Sequence, residues 1–193
     1  GLAAGATWKA AARDAGLSEE RAAAFGESVA KFAGAVNAPM EFGLPDGEGT
    51  GGGVVSGRPH DEIVIYTDGA SKGNPGPAGA GGVILTPAGE TIEEFKEDLG
   101  KTTNNVAEYE AVRLGLVRAL ALGARRVTVR LDSELVSFQL TGVYKVKDTK
   151  LIDRYLEIGK LLSRLESVKF EAIPREKNAR ADKLAQAGAR LGR

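Results

Sequence analysis

Between Asn37 and His60 the chain places seven Gly and three Pro in 24 residues, including the run Gly51-Gly52-Gly53, with almost no apolar periodicity. Glycine loses the most backbone freedom on folding and proline removes a donor, so no helix or strand runs through such a stretch. It reads as a linker over 37–60; if flexible, it would span about 27 Å root-mean-square. The chain is thereby divided into a short piece, 1–36, and a long one, 61–193. Only the long piece can build its own core, because segments below ~40 residues rarely bury enough surface to be stable alone. In the short piece Thr7 and Ser18 resemble helix N-caps and Gly16 a stop, while Phe25, Val29, Phe32 and Val36 share one helical face. A two-helix hairpin follows, docked on the main domain, on a partner or on its own copy. We read it as an interaction or dimerisation element.

After the linker the pattern becomes that of an α/β domain. Glu62 to Thr67, Gly79 to Thr86 and Thr91 to Leu99 read as three antiparallel strands, the last two joined by the turn Pro87-Ala88-Gly89-Glu90. A long helix from Asn105 to Leu122 is closed by Gly123. There follow a strand Arg126 to Leu131, a short helix from Ser133, a helix near Asp148 to Leu165, a strand Val168 to Ile173 and a helix from Ala179. Helices covering a sheet are the expected layers.

The bulk numbers exclude several classes. No stretch approaches the ~20 apolar residues of a membrane span, and with no cysteine there is neither a disulfide framework nor a thiolate metal site. Leu2 to Ala12 lacks the basic-then-apolar grammar of a secretory signal, so the expected location is the cytoplasm. The 26 basic and 26 acidic residues cancel, but unevenly: residues 1–62 carry 5 against 9 and residues 141–193 carry 13 against 7. The basic C-terminal third is where a polyanion would be met.

Four carboxylates concentrate the argument. Asp68 ends an apolar strand and is followed by the small residues Gly69-Ala70-Ser71; alone it would be an ordinary turn residue. Asp132 repeats that arrangement after Val127-Thr128-Val129-Arg130-Leu131, with a helix cap as its ordinary explanation. Asp182 falls in the first turn of the last helix after the cap candidate Asn178, where the helix dipole suits an acid. Glu108 is stranger: its helical neighbours are Ala111, Val112 and Gly115, then Ala119 and Leu122, so a carboxylate lies on or beside the face that packs on the sheet. If the elements assemble as read, all four gather at one end of the sheet. Such a cluster repels itself unless cations hold it, and oxygen ligands without His or Cys favour Mg²⁺ or Mn²⁺ over Zn²⁺.

The segments Tyr66-Thr67-Asp68-Gly69-Ala70-Ser71, Thr103-Asn104-Asn105-Val106-Ala107-Glu108, Leu131-Asp132-Ser133-Glu134-Leu135 and Asn178-Ala179-Arg180-Ala181-Asp182 resemble the four signature blocks of type 1 ribonuclease H, in the family's order. The likeness covers about residues 62–190. It implies an RNase H-like five-stranded mixed sheet of order 3-2-1-4-5. It also implies an endoribonuclease that cuts the RNA strand of RNA–DNA hybrids and leaves 5′-phosphate and 3′-hydroxyl ends. Asp68, Glu108, Asp132 and Asp182 would be catalytic ligands of two divalent ions, Mg²⁺ or Mn²⁺, with Asp68 bridging them.

For the substrate, the resemblance points to Gly69, Ser71, Gly73 and Asn74 around the glycine-rich loop Gly73–Gly82, to Thr103 for a DNA phosphate, and to Asn104 and Asn105. The Asn amides can both donate to and accept from a 2′-hydroxyl. Lys145 and Lys147, in Tyr144-Lys145-Val146-Lys147, match the family's substrate-handling region as phosphate contacts. Arg154, Lys160 and Arg164 read as a solvated helix face. Two departures place the chain in a particular branch. The loop Ile173-Pro174-Arg175-Glu176-Lys177 lacks the His many bacterial members carry, so Arg175 or Lys177 is expected at the scissile phosphate; the sole His is His60. Gly142 to Leu151 is also too short for a basic, Trp-containing protrusion, and the sole Trp is Trp8. An inactive hybrid-binding scaffold or a DNA-acting nuclease of the same superfold would share the pattern. Intact acids in every block count against the first, and the Asn and glycine segments favour RNA over the second.

Overall fold

The computed structural model describes residues 60–191. The hairpin expected over 1–36 and the linker over 37–59 lie outside the described residues. The sheet has five strands in the order β3-β2-β1-β4-β5. They are β1 Glu62–Ser71, β2 Gly76–Leu85, β3 Thr91–Thr102, β4 Arg126–Leu131 and β5 Ser167–Ala172. The first three are antiparallel, and β4 joins β1, and β5 joins β4, in parallel. Four α-helices complete the domain: α1 Asn104–Ala121, α2 Glu134–Leu140, α3 Thr149–Leu162 and α4 Ala179–Gly188.

Alternation along β1 decides which helix covers which face. Ile63, Ile65, Thr67 and Gly69 point towards α1, where the Cα of Gly115 lies close over Ile65 and Thr67. Ile63, Ile65, Ile84, Tyr109, Leu116 and Leu131 are fully buried in this layer, and burying each such side chain stabilises by roughly 1.5–3 kcal/mol. Helix α3 packs on the outside of α1 through Leu151, Ile158 and Leu162. Arg154, expected in a solvated face, instead forms a 2.8 Å ion pair with Glu110 of α1; Lys160 and Arg164 are exposed.

Helix α4 covers the other face over β2, β1 and β3. Three expectations change there. The segment Gly73–Gly82 is not a loop, since strand β2 already begins at Gly76. Its glycines serve the molecule's own packing: a methyl group at Gly79 or Gly81 would collide with the α4 backbone near Ala189 and Ala185. Strand β3 continues past Leu99 to Thr102 because Gly76 and Pro77 remain paired with Thr102 and Lys101. Strand β1 continues past Thr67 to Ser71 because β2 stays paired with it to Ser71, whereas its ladder with β4 ends at Tyr66 and Arg130. Asp68 therefore lies within a strand, just beyond the point where β1 and β4 part.

Candidate active site

Each carboxylate reaches the cleft for a local reason. Asp68 sits opposite Gly81 on β1, 6% exposed. Its neighbour Gly69 is required, since a Cβ there would run into the backbone of Ala107 and Glu108. That missing methyl lets the start of α1 rest directly on β1, which brings Glu108, 8% exposed, beside Asp68. Thr103 caps α1, its hydroxyl accepting from the Val106 N–H at 3.4 Å, so the helix starts at Asn104, one residue earlier than expected. Asp132 follows the last residue of β4. It is not a cap: the Ser133 hydroxyl accepts from Val136 N–H at the start of α2, which leaves the Asp132 carboxylate to the cleft.

Carboxylate oxygens of Asp68, Glu108 and Asp132 lie within 4.8 Å of one another. Asp182, in the first turn of α4, lines the same cleft but stands apart from that trio. Its Oδ1 accepts from Arg175 Nη2 at 3.3 Å and its Oδ2 from Gln186 Nε2 at 2.8 Å. The cleft holds about 330 Å³ and is lined by these acids with Gly69, Ser71, Lys72, Asn104, Arg175 and Gln186.

The electrostatics show a knot of charge held back. Burial, then the charges of Asp132 and Asp182, push the Asp68 carboxyl up to about 8, against the pull of Arg175 and the Gly69 N–H. Burial, then Asp68 and Asp132, push Glu108 up to about 9, opposed by the Asn104 amide, 3.4 Å away, and by Arg175. Buried carboxylates that resist ionisation at Asp68 and Glu108, with an Asp132 oxygen close to both, are a donor set suited to hard divalent cations. The residues present fit such ions, with Asp68, Glu108 and Asp132 at the centre.

Of the other residues singled out from the sequence, Gly69, Ser71, Asn104 and Arg175 line the cleft. The Ser71 hydroxyl is engaged by backbone carbonyls, within donating distance of Gly73 O in the β1–β2 turn at 2.5 Å and of Thr102 O at the end of β3 at 3.0 Å. Gly73 and Asn74 form that exposed turn, and Asn74 Oδ1 accepts from Asn104 N–H at 3.3 Å, tying it to the start of α1. Asn105 is exposed, as are Lys145 and Lys147 in the α2–α3 connection and Lys177, none of them lining the cleft. Lys72, Gln186 and Asn178 were missed. Gln186 was legible as the residue one turn after Asp182. Asn178, taken from the sequence as a cap, makes no capping bond; its Nδ2 donates to Asp132 Oδ1 at 2.9 Å and to Thr67 O at 3.0 Å.

Comparison with known proteins agrees with this geometry. The family model described as reverse transcriptase-like matches residues 66–188. A Ribonuclease H of Ruegeria sp. is 35% identical, over 66% of this chain and 90% of its own length. A Mycobacterium tuberculosis protein described as bifunctional is 43% identical over 125 residues, and this chain spans only about a third (34%) of its length. The N-terminal RNase H domain of that protein, solved as a fusion, superposes with a TM-score of 0.65 at 41% identity, covering 66% of this chain and 98% of that one. An RNase H1 isolated from compost, solved in complex with an RNA/DNA hybrid, gives a TM-score of 0.64 at 45% identity, covering 66% of this chain and 96% of its own. The matched stretch runs through all four carboxylates and the five strands that carry or flank them, and on that ground the chain belongs to the ribonuclease H family.

Proposed function

We propose that the protein is an endoribonuclease that hydrolyses the RNA strand of RNA–DNA hybrids with two divalent ions, Mg²⁺ or Mn²⁺, leaving 5′-phosphate and 3′-hydroxyl ends. The observation that carries this reading is the convergence of Asp68, Glu108 and Asp132 oxygens within 4.8 Å in one open cleft. The relative solved with a hybrid bound supports the choice of substrate. Such ions, when bound, supply an activated water and stabilise the charge on the leaving oxygen.

The chain's own residues do the remaining work. Asp68, Glu108, Asp132 and Asp182 would hold the cations, whose fixed charge would favour the more negative transition state over the substrate. Asn104 and Asn105 offer amides to 2′-hydroxyls, while Gly69, Ser71, Gly73 and Asn74 bring backbone close to the RNA strand. Thr103, Lys145 and Lys147 meet phosphates. Arg175, three-quarters exposed, turns from Asp182 to the scissile phosphate; leaving an exposed ion pair costs it about 1 kcal/mol or less. The N-terminal segment serves association with a protein partner or a second copy. Cysteine-free sequence suits the cytoplasm, and no helix among the described residues is long and apolar enough to cross a membrane.

The test is cleavage of an end-labelled hybrid beside duplex DNA and duplex RNA, with and without Mg²⁺ or Mn²⁺. Metal-dependent cutting confined to the RNA of the hybrid is expected. A hybrid left intact at saturating metal would sink the proposal.

A further inference from the structure

Asn178 stands where the 3₁₀ turn Arg175–Lys177 hands over to α4, a position that ordinarily caps a helix. Here it does something else. Its side chain is 1% exposed and its Nδ2 reaches both Asp132 Oδ1 and Thr67 O. Both targets are obligate acceptors, so only the NH₂ end of the amide can face them, and the chemistry fixes its orientation. The β1–β4 ladder ends at Tyr66 and Arg130. Beyond that pair the strands part, and the Asn178 amide spans the gap from the Thr67 carbonyl of β1 to the Asp132 carboxylate just past β4. Its Oδ1 is buried with no partner among the described residues. A buried, unpaired acceptor destabilises, and a side chain serving stability alone would have no use for it.

We propose that Asn178 is a positioning residue: it locks the Asp132 carboxylate to β1 so that Asp132 meets Asp68 and Glu108 in one cation site. This rests on the reading that the cleft binds divalent ions. Without the amide, Asp132 turns freely about its side-chain bonds on the first residue after a strand, and the ligand set must be assembled each time an ion binds. Outer partners of metal ligands characteristically matter in this way.

The experiment titrates Mn²⁺ calorimetrically into the full chain, wild type against Asn178→Ala and Asn178→Asp, alongside thermal melting in EDTA and hybrid kinetics. Removing the donor is expected to weaken Mn²⁺ binding by about tenfold and lower kcat by a similar factor, with KM for the hybrid changed by about twofold or less. Asn178→Asp keeps the size and loses the donor, so it carries the test if the alanine variant does not fold. A folded variant of either kind that binds Mn²⁺ like wild type overturns the proposal, even if it melts earlier in EDTA. Absence of Mn²⁺ binding by the wild type would instead overturn the metal-site reading beneath it.

Discussion

Asp132→Asn separates catalysis from stability. The substitution deletes one charge, yet Asn retains an acceptor for the Asn178 amide that lies 2.9 Å from Oδ1. Two full charges at the 4.8 Å limit of the trio repel by about 3.5 kcal/mol at an effective dielectric of 20. At pH 8 Asp68 is about half ionised and Glu108 mostly neutral, so the repulsion relieved is roughly 1.5–2 kcal/mol. In EDTA the variant should therefore melt higher than wild type, by about 4–8 °C for a domain of this size. Adding Mg²⁺ or Mn²⁺ should raise the wild-type Tm and leave the variant nearly unmoved. Hybrid cleavage should fall about a hundredfold or more. Differential scanning fluorimetry with and without metal, and a gel assay on labelled hybrid, read these out. A variant that is less stable than wild type in EDTA, or that gains the same Tm from metal, would refute the reasoning.

The raised carboxyls set a pH dependence. Between the unfolded values, near 4, and the folded values of about 8 and 9, the folded state holds more protons than the unfolded one. The contribution of these two groups to metal-free stability is therefore fully present below about pH 4 and declines as pH rises towards 8 and 9, by up to about 1.4 kcal/mol per unit for each group; the Tm increment from Mg²⁺ should accordingly be larger at pH 8 than at pH 6, and an equal or smaller increment would contradict the shifts. Arg175→Ala should lower kcat by less than the ~100-fold typical of a fixed transition-state donor, with KM little altered; an unchanged turnover number would remove Arg175 from the chemistry. Gly69→Ala forces α1 off β1 and should destabilise by about 1–3 kcal/mol. Its loss of cleavage should exceed what unfolding explains, since a displacement of about 1 Å can cost ~100-fold in rate; full activity in the folded fraction would show that the close approach is dispensable.

Much of this site was legible in the sequence because four acids, most of them ordinary when taken singly, fall in four ordered blocks that resemble the ribonuclease H signature. Glu108 broke the pattern of its helix face, whereas Asp68 and Asp132 gained meaning only in combination with it. The five strands were legible too, since Ile63 and Ile65 or Val127 and Val129 alternate. What could not be read were features made by long-range contact. Asn178 before a helix has a local explanation that happens to be wrong, and only the meeting of α4 with the parting strands reveals its partner. The early start of β2 at Gly76 was hidden because the segment lacks the β-branched residues that mark strands: at Gly79 and Gly81 the space a side chain would fill belongs to α4, and at Gly82 to Phe95 and Tyr66. The uneven reach of the ladders on either side of β1, which puts Asp68 inside a strand, depends on where β4 stops. Asp182 was grouped with the other three on sequence, yet it keeps its own partners, Arg175 and Gln186, at the rim.

The glycine floor under α4 has a practical consequence for anyone wishing to tune this cleft. The helix carries Asp182 and follows directly on Asn178, yet the depth at which it lies is set several residues along, against Gly79 and Gly81. Those two positions behave like shims beneath a lever: thickening them by one carbon tilts a remote tip while every reacting group keeps its identity. Graded adjustment of the acidic cleft is thus open from the far end of the helix, by substitutions that a search confined to charged side chains would never try.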